Sequence, residues 1–151
     1  MTKEELKDSI LQNSADAVFE ETGEWLALLV EPSVFPDIAI NLHSRKDWNF
    51  DFLFSMTCVD WKTHLTMVYF LRSMTHHHML TVKVKLDREH PEIETVSGIW
   101  RTAEFHEREV YDLFGVKFLH HPDLRRILLT DDWKGWPLRK DYEDPVNMIK
   151  L

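Results

Sequence analysis

One cysteine, four glycines and no apolar run of membrane-spanning length set the first limits on this 151-residue chain. The lone thiol, Cys58, forms no intrachain disulfide and supplies no cysteine metal knuckle. It also falls short of the four thiolates that an iron–sulfur cluster commonly takes. The four glycines compose neither GxGxxG nor GxxxxGK[ST], so no phosphate cradle is encoded. No stretch reaches the roughly 18 to 20 apolar residues of a membrane span, and the opening MTKEELKDSI lacks a signal peptide's apolar segment. These absences predict a soluble chain that stays in the reducing compartment where it is made.

Positive charge is scarce as well. The net charge is -8, and residues 1 to 100 carry 9 Lys+Arg against 16 Asp+Glu, whereas residues 101 to 151 carry 9 against 10. An acidic front repels phosphate backbones and anionic headgroups, which disfavours direct nucleic-acid or membrane-surface binding. With 44% hydrophobic residues the chain holds one core of ordinary size, so one domain plus appendages is expected.

Thr2 and Glu5 suit a capping box, and Leu6, Ile10 and Leu11 recur at helical spacing, which predicts a helix over about 3–19. Trp25 to Val30 and Ile38 to Leu42, separated by Pro32 and Pro36, read as short strands. Phe50, Leu53, Phe54 and Cys58 match one helical face and predict a second helix over 50–58. Clear alternation follows at His64 to Ser73 and Met79 to Asp87, joined closely enough for an antiparallel hairpin. Pro91 ends that sheet region. Ala103, His106, Val110, Leu113 and Phe114 then give a third helix with Gly115 as its C-terminal cap, and Val116 to Phe118 one more short strand.

The pattern predicts an α+β fold, a mixed or antiparallel sheet with helices on one face, over residues 1–118. Residues 119–151 read differently: Pro122, Gly135, Pro137 and Pro145 interrupt any period, yet Leu124, Ile127, Leu128, Leu129, Trp133, Trp136 and Leu138 are large apolar groups. A segment that irregular and that apolar predicts an extended C-terminal arm lying on a partner, with no home in its own fold.

The chain has nine histidines, with His76, His77 and His78 adjacent. No HExxH or Cys/His spacing accompanies them, so a polar turn is favoured over a metal site or a stand-alone metal enzyme. His106 with Glu107, or Glu109 near Tyr111, fits a general acid/base pair less well than charges paired with the downstream arm. Cys58 reads as a small buried hydrophobe. Arg125, Arg126, Trp133, Lys134, Trp136, Arg139 and Lys140 resemble a single-strand platform in composition. Asp123, Asp131 and Asp132 dilute that charge and favour a protein–protein hot spot.

The run EREVYDLFGVKF, then HPDLRRIL, then WPLRKDY resembles the signature of the C subunit of proton-pumping NADH:quinone oxidoreductase, respiratory complex I. The J subunit of the photosynthetic relatives and counterparts in membrane-bound hydrogenases share it. The likeness covers about residues 48–142; FDFLFSMTCVDW is similar to the family's helix ending in an apolar-Val-Asp turn. Members often carry Gly where this chain has His120, and the first 45 residues match loosely.

The resemblance implies a peripheral component on the cytoplasmic face of the cell membrane, attached only through the complex. It implies no cofactor or catalytic residue in this chain; FMN, the iron–sulfur clusters and the quinone belong to the parent complex. The partner implied is the large hydrogenase-like subunit of the quinone site. Docking is expected through Glu107, Arg108, Glu109, Asp112, His121, Pro122, Asp123, Arg125, Arg126, Trp136, Arg139, Lys140 and Asp141. Glu107, Arg108, Glu109 and Asp112 are expected to form an ion network with Arg125, Arg126, Arg139 or Lys140. A ferredoxin- or hydrogenase-linked parent complex is the alternative.

Overall fold

The computed structural model describes residues 2–20 and 23–144; the expectations for Pro145 and the tail 145–151 lie outside these residues. In chain order the elements are α1 (Lys3–Asn13), β1 (Val18–Glu20), β2 (Leu26–Val30), α2 (Phe35–Ser44), β3 (Phe52–Asp60), β4 (Leu65–Arg72), β5 (Met79–Leu86), β6 (Glu92–Glu94), α3 (Ala103–Phe114) and β7 (Lys117–Leu119). The fold is α+β. A five-stranded mixed sheet has the order β1-β2-β5-β4-β3, and a separate parallel pair joins β6 to β7.

Alternation builds the centre. Leu65, Met67, Tyr69 and Leu71 of β4 and Leu80, Val82, Val84 and Leu86 of β5 point to one face and are at most 2% exposed. The two strands pair antiparallel over their full length, as the hairpin reading expects, and β2 pairs parallel to β5. Onto this face pack Leu6 and Ile10 of α1, Phe35, Ala39 and Leu42 of α2, and Ala103, Val110 and Phe114 of α3, in one cluster. Burying side chains of this kind contributes about 1.5 to 3 kcal/mol each, the main term holding the domain together.

Three expectations are corrected. The first helix has its capping box, but it ends at Asn13, and Val18–Glu20 is an edge strand antiparallel to β2. Ile38 to Leu42 belongs to helix α2, because Pro36 sits in the first turn, where its missing N–H costs nothing. The segment expected as a helix over 50–58 is strand β3. Its register shifts between Leu53 and Ser55, and this bulge puts Leu53 and Met56 on the same face three residues apart. One inserted residue thereby imitates helical spacing. Pro91 lies beyond the five-stranded sheet, as expected; β6, which the sequence reading did not foresee, follows it directly and runs parallel to β7 in the separate pair.

Candidate functional site

The three segments that carry the family resemblance converge at the C-terminal end of α3. A helix leaves its last carbonyls without intrahelical partners. Here Gly115, at φ +78°, turns the chain and donates its N–H to Tyr111 O, and the arm satisfies the rest. Arg126 donates to Asp112 O at 2.9 Å, the Leu138 N–H to Leu113 O at 3.0 Å, and Arg139 Nε to Phe114 O at 2.7 Å. Two guanidinium groups at a helix C-terminus also oppose the negative end of the dipole. Trp136 lies flat over Gly115, so close that a Cβ there would come within 2.5 Å of the indole. The same ring meets Tyr111 at a tilt of 59° with centroids 5.5 Å apart, and receives the Arg126 guanidinium at 4.6 Å.

Asp112 organises the next turn of the arm. It is fully buried, its Oδ2 accepts the backbone N–H groups of Ile127, Leu128 and Leu129 at 2.7 to 3.2 Å, and its Oδ1 accepts Arg126 at 2.9 Å. Burial alone would push this carboxyl up, but the three amides and the guanidinium outweigh it and hold it below the ordinary carboxylate range. Arg126 also donates to Trp133 O and Gly135 O, so one side chain gathers both limbs of the loop. Arg108 adds bonds to Arg125 O and Arg126 O.

A second fastening lies at the far end of the sheet. Asp60, the last residue of β3, is buried and takes a two-pronged contact from Arg88 at 2.9 Å on each oxygen, plus the N–H of Lys62 and of Lys140. Arg88, with the two amides, holds Asp60 well below the usual carboxylate range against the opposing effect of burial. Arg88 reaches Asp141 as well, at 3.0 Å. Sequence reasoning missed Asp60 and Arg88 as arm contacts.

Glu107 stands apart from the cations. Its side chain is wholly buried; it accepts the Thr95 hydroxyl and the Val96 N–H, and lies 3.9 Å from His121 Nε2. Burial pushes its carboxyl up to about 7 in spite of those two bonds. His121 is tied in at both ring nitrogens. Its Nδ1 accepts the Asp123 N–H, which leaves the Nε2 proton to donate to Glu104 O.

Of the expected ion network, the Asp112–Arg126 pair at 2.9 Å is present. Glu107 bonds to Thr95 and Val96 instead of a cation, because Arg108 is spent on backbone carbonyls. Arg139 likewise serves Phe114 O and Arg88 O, and Lys140 uses its backbone N–H. The helical spacings Glu104/Arg108 and Arg108/Asp112 therefore carry no ion pair among the described residues. Glu109, Pro122, Asp123, Arg125, Lys140 and Asp141 are exposed, with Arg125 paired to Asp123. The arm thus finds its path to Asp144 on its own domain, which corrects the expectation that only a neighbour could order it. His120 occupies the left-handed region at φ +64°, a conformation that explains why a glycine suits that position.

The histidine turn is fastened by carbonyls: His76 Nε2 meets Lys46 O and His78 Nε2 meets Trp48 O. Among the described residues no group of three His, Cys, Asp or Glu side chains is placed to hold a metal ion. Burial pushes the Cys58 thiol up to about 12, which leaves it an inert core group. No described helix is long and apolar enough to cross a membrane.

The fold recurs in solved structures. The trypsin-resistant fragment of Nqo5 superposes with a TM-score of 0.70 at 28% identity, covering 82% of this chain and 100% of that one. A chain of the membrane-bound sulfane sulfur reductase, an archaeal respiratory membrane complex, gives 0.77 at 28% identity over 93% of this chain and 85% of that one. Residues 28–146 match the family described as the respiratory-chain NADH dehydrogenase 30 Kd subunit, and the chain belongs to that family. The C subunit of the NADH-quinone oxidoreductase of Chlorobium phaeobacteroides is 40% identical over 90% of this chain and 86% of its own length. The C/D subunit of the Phocaeicola vulgatus enzyme is 45% identical over 73% of this chain, which spans only 22% of that longer protein.

Proposed function

We propose that this chain is a non-catalytic peripheral component of a proton-translocating NADH:quinone oxidoreductase, seated on the large quinone-site subunit at the cytoplasmic face of the membrane. Its contribution is positional: it orders the surface of its neighbour while FMN, iron–sulfur clusters and quinone are held by other chains. The observation that carries this reading is an apolar patch left over after the arm has been fastened. Phe105 is 59% exposed, Leu128 62% and Ile127 39%, and they line a cleft of about 230 Å³ with His106 and Glu109. Arg126 and Arg139 are used internally, so the apolar Ile127 and Leu128 are what this part of the arm presents to a partner. A relative whose name joins C and D in one polypeptide supports the large D subunit as occupant.

Leu128→Asp tests it. The variant is expected to fold with an unchanged melting temperature and to lose co-purification of the large subunit, with quinone reduction falling in parallel. Normal assembly of this variant would refute the docking surface. The likeness to the archaeal sulfane sulfur reductase supports a second reading, the equivalent component of a ferredoxin- or hydrogenase-linked complex. Assaying which donor reduces the purified complex separates the two.

A further inference from the structure

Glu107 is a buried acid whose hydrogen bonds come from neutral groups. Its side chain and that of His121 are both wholly enclosed, with His121 Nε2 3.9 Å from Glu107 Oε1. Around the carboxyl, the segment after β6 supplies the Thr95 hydroxyl and the Val96 N–H, and Glu94 of β6 adds a like charge. Tyr69 of β4 lies within electrostatic reach, and its hydroxyl is buried with no hydrogen-bond partner among the described residues. Cys58 of β3 bears on Tyr69 in turn. Arg108, next along α3, is turned to the arm's carbonyls. Asp123 approaches the His121 ring from the arm and is paired to Arg125, while His120 is paired to Glu94.

Two donors are few for a buried carboxylate, which has about four lone-pair sites to fill. They suffice for a neutral acid. The Thr95 hydroxyl can accept the acid proton and pass its own to Ser97 Oγ at 2.9 Å, while the Val96 N–H serves the other oxygen at 3.1 Å. Burial accordingly keeps the carboxyl protonated up to about 7. Once ionised, it calls for a third donor. One stands 3.9 Å away, the His121 Nε2–H, which is spent on Glu104 O at 2.9 Å. The other ring nitrogen accepts the Asp123 N–H at 3.0 Å, so turning the ring toward Glu107 draws Nδ1 off that amide.

We propose that Glu107 and His121 form a proton-operated latch on the entry to the arm: with Glu107 protonated the ring holds Glu104 O and the Asp123 N–H, and loss of that proton to solvent draws the Nε2–H to the carboxylate and frees the Asp123 amide. Asp112 and Asp60 receive later residues of the arm, at 127–129 and 140, so these fastenings stay and only the first turn opens. The sign follows from the raised carboxyl: the latch is closed below the folded value and opens as pH rises through about 7.

Nuclear magnetic resonance and infrared spectroscopy of the full chain test the latch. Between pH 6 and 8, exchange of the Asp123 amide, taken relative to the same amide in Glu107→Gln, is expected to rise on the order of tenfold, while the ratio for the amides of 127–129 stays constant. The infrared band of the protonated carboxyl should fade over the same range and be missing from Glu107→Gln. In His121→Ala the fading is expected at higher pH, because the ionised form has lost its third donor; in Tyr69→Phe it is expected where the wild type has it. A constant Asp123 ratio overturns the proposal, and so does a Tyr69→Phe variant that moves the titration, since the third donor would then be the phenol. Should Glu107→Gln fail to fold, the wild-type chain decides alone: the His121 Nε2 resonance must shift as the carboxyl band fades, and a resonance unmoved from pH 6 to 8 refutes the latch.

Discussion

The sheet and the arm reach a single conformation by opposite means. In the sheet, eight side chains of β4 and β5 are at most 2% exposed, and order follows from removing apolar surface from water. In residues 120–144 no whole residue is buried, although the His121 side chain is, and there is neither helix nor strand. Order there comes from backbone N–H and C=O groups converging on a few charged side chains: Asp112, Arg126, Arg108, Arg139 and Asp60. Hydrogen bonds to charged groups contribute roughly 1.5 to 3 kcal/mol each, about twice a neutral bond, so a handful offsets the entropy of a short segment. An irregular chain needs no core of its own when charged groups already fixed in a helix and a strand are there to receive it.

The comparison breaks most visibly at Asp112. Asp112→Ala leaves Arg126 and three amides without their acceptor and is expected to cost about 3 to 5 kcal/mol. Hydrogen exchange should then show the amides of 127–129 unprotected while β4 and β5 keep their protection; equal loss in both regions would contradict the division. Glu107 comes next, with a pH signature. Its folded value, about 7, lies above the ordinary 4.5, so its stabilisation is complete below about 4.5 and is lost as pH rises to 7. The decline amounts to on the order of 3 kcal/mol and should disappear in Glu107→Gln, as urea denaturation at pH 5, 6, 7 and 8 can measure. Asp112, held low, acts with the opposite sign: its contribution is present above 3.8 and lost as pH falls through its folded value.

Gly115→Ala sharpens the contrast at smaller scale. The left-handed backbone and the clash with Trp136 are expected to cost about 2 kcal/mol. Quenching of Trp136 fluorescence by acrylamide should rise while the sheet's exchange protection stays unchanged. The smallest effect belongs to Arg125→Ala: its pair with Asp123 is open to solvent, so the melting temperature should not move.

What could be read from the sequence divides along the same line. The hairpin and α3 were legible because their alternation and helical period run without interruption, and Gly115 announced the cap. The helix expected over 50–58 failed because a bulge at β3 gave a strand the spacing of a helix, and α2 was misread because Pro36 was taken for a breaker. The joint was legible as a cluster of charges but not as a set of contacts. Asp112 binds amides 15 to 17 residues away, and Asp60 meets Arg88 and Lys140 at separations of 28 and 80. Contacts between a side chain and the backbone of a distant loop leave no periodicity and no residue-type preference to read. The one hint was local, Asp60 as the penultimate residue of FDFLFSMTCVDW.

The clasp of Asp60 on the Lys140 amide also decides where mechanical load enters the molecule. A pull transmitted along residues 141–144 reaches Arg88 through Asp141 and Asp60 through the Lys140 amide, and so passes into β3 and the rungs it shares with β4 before it strains the cap on α3. The outer knot thus shields the inner one: load is borne by the sheet, and the Asp112 turn keeps its shape until that outer knot gives way.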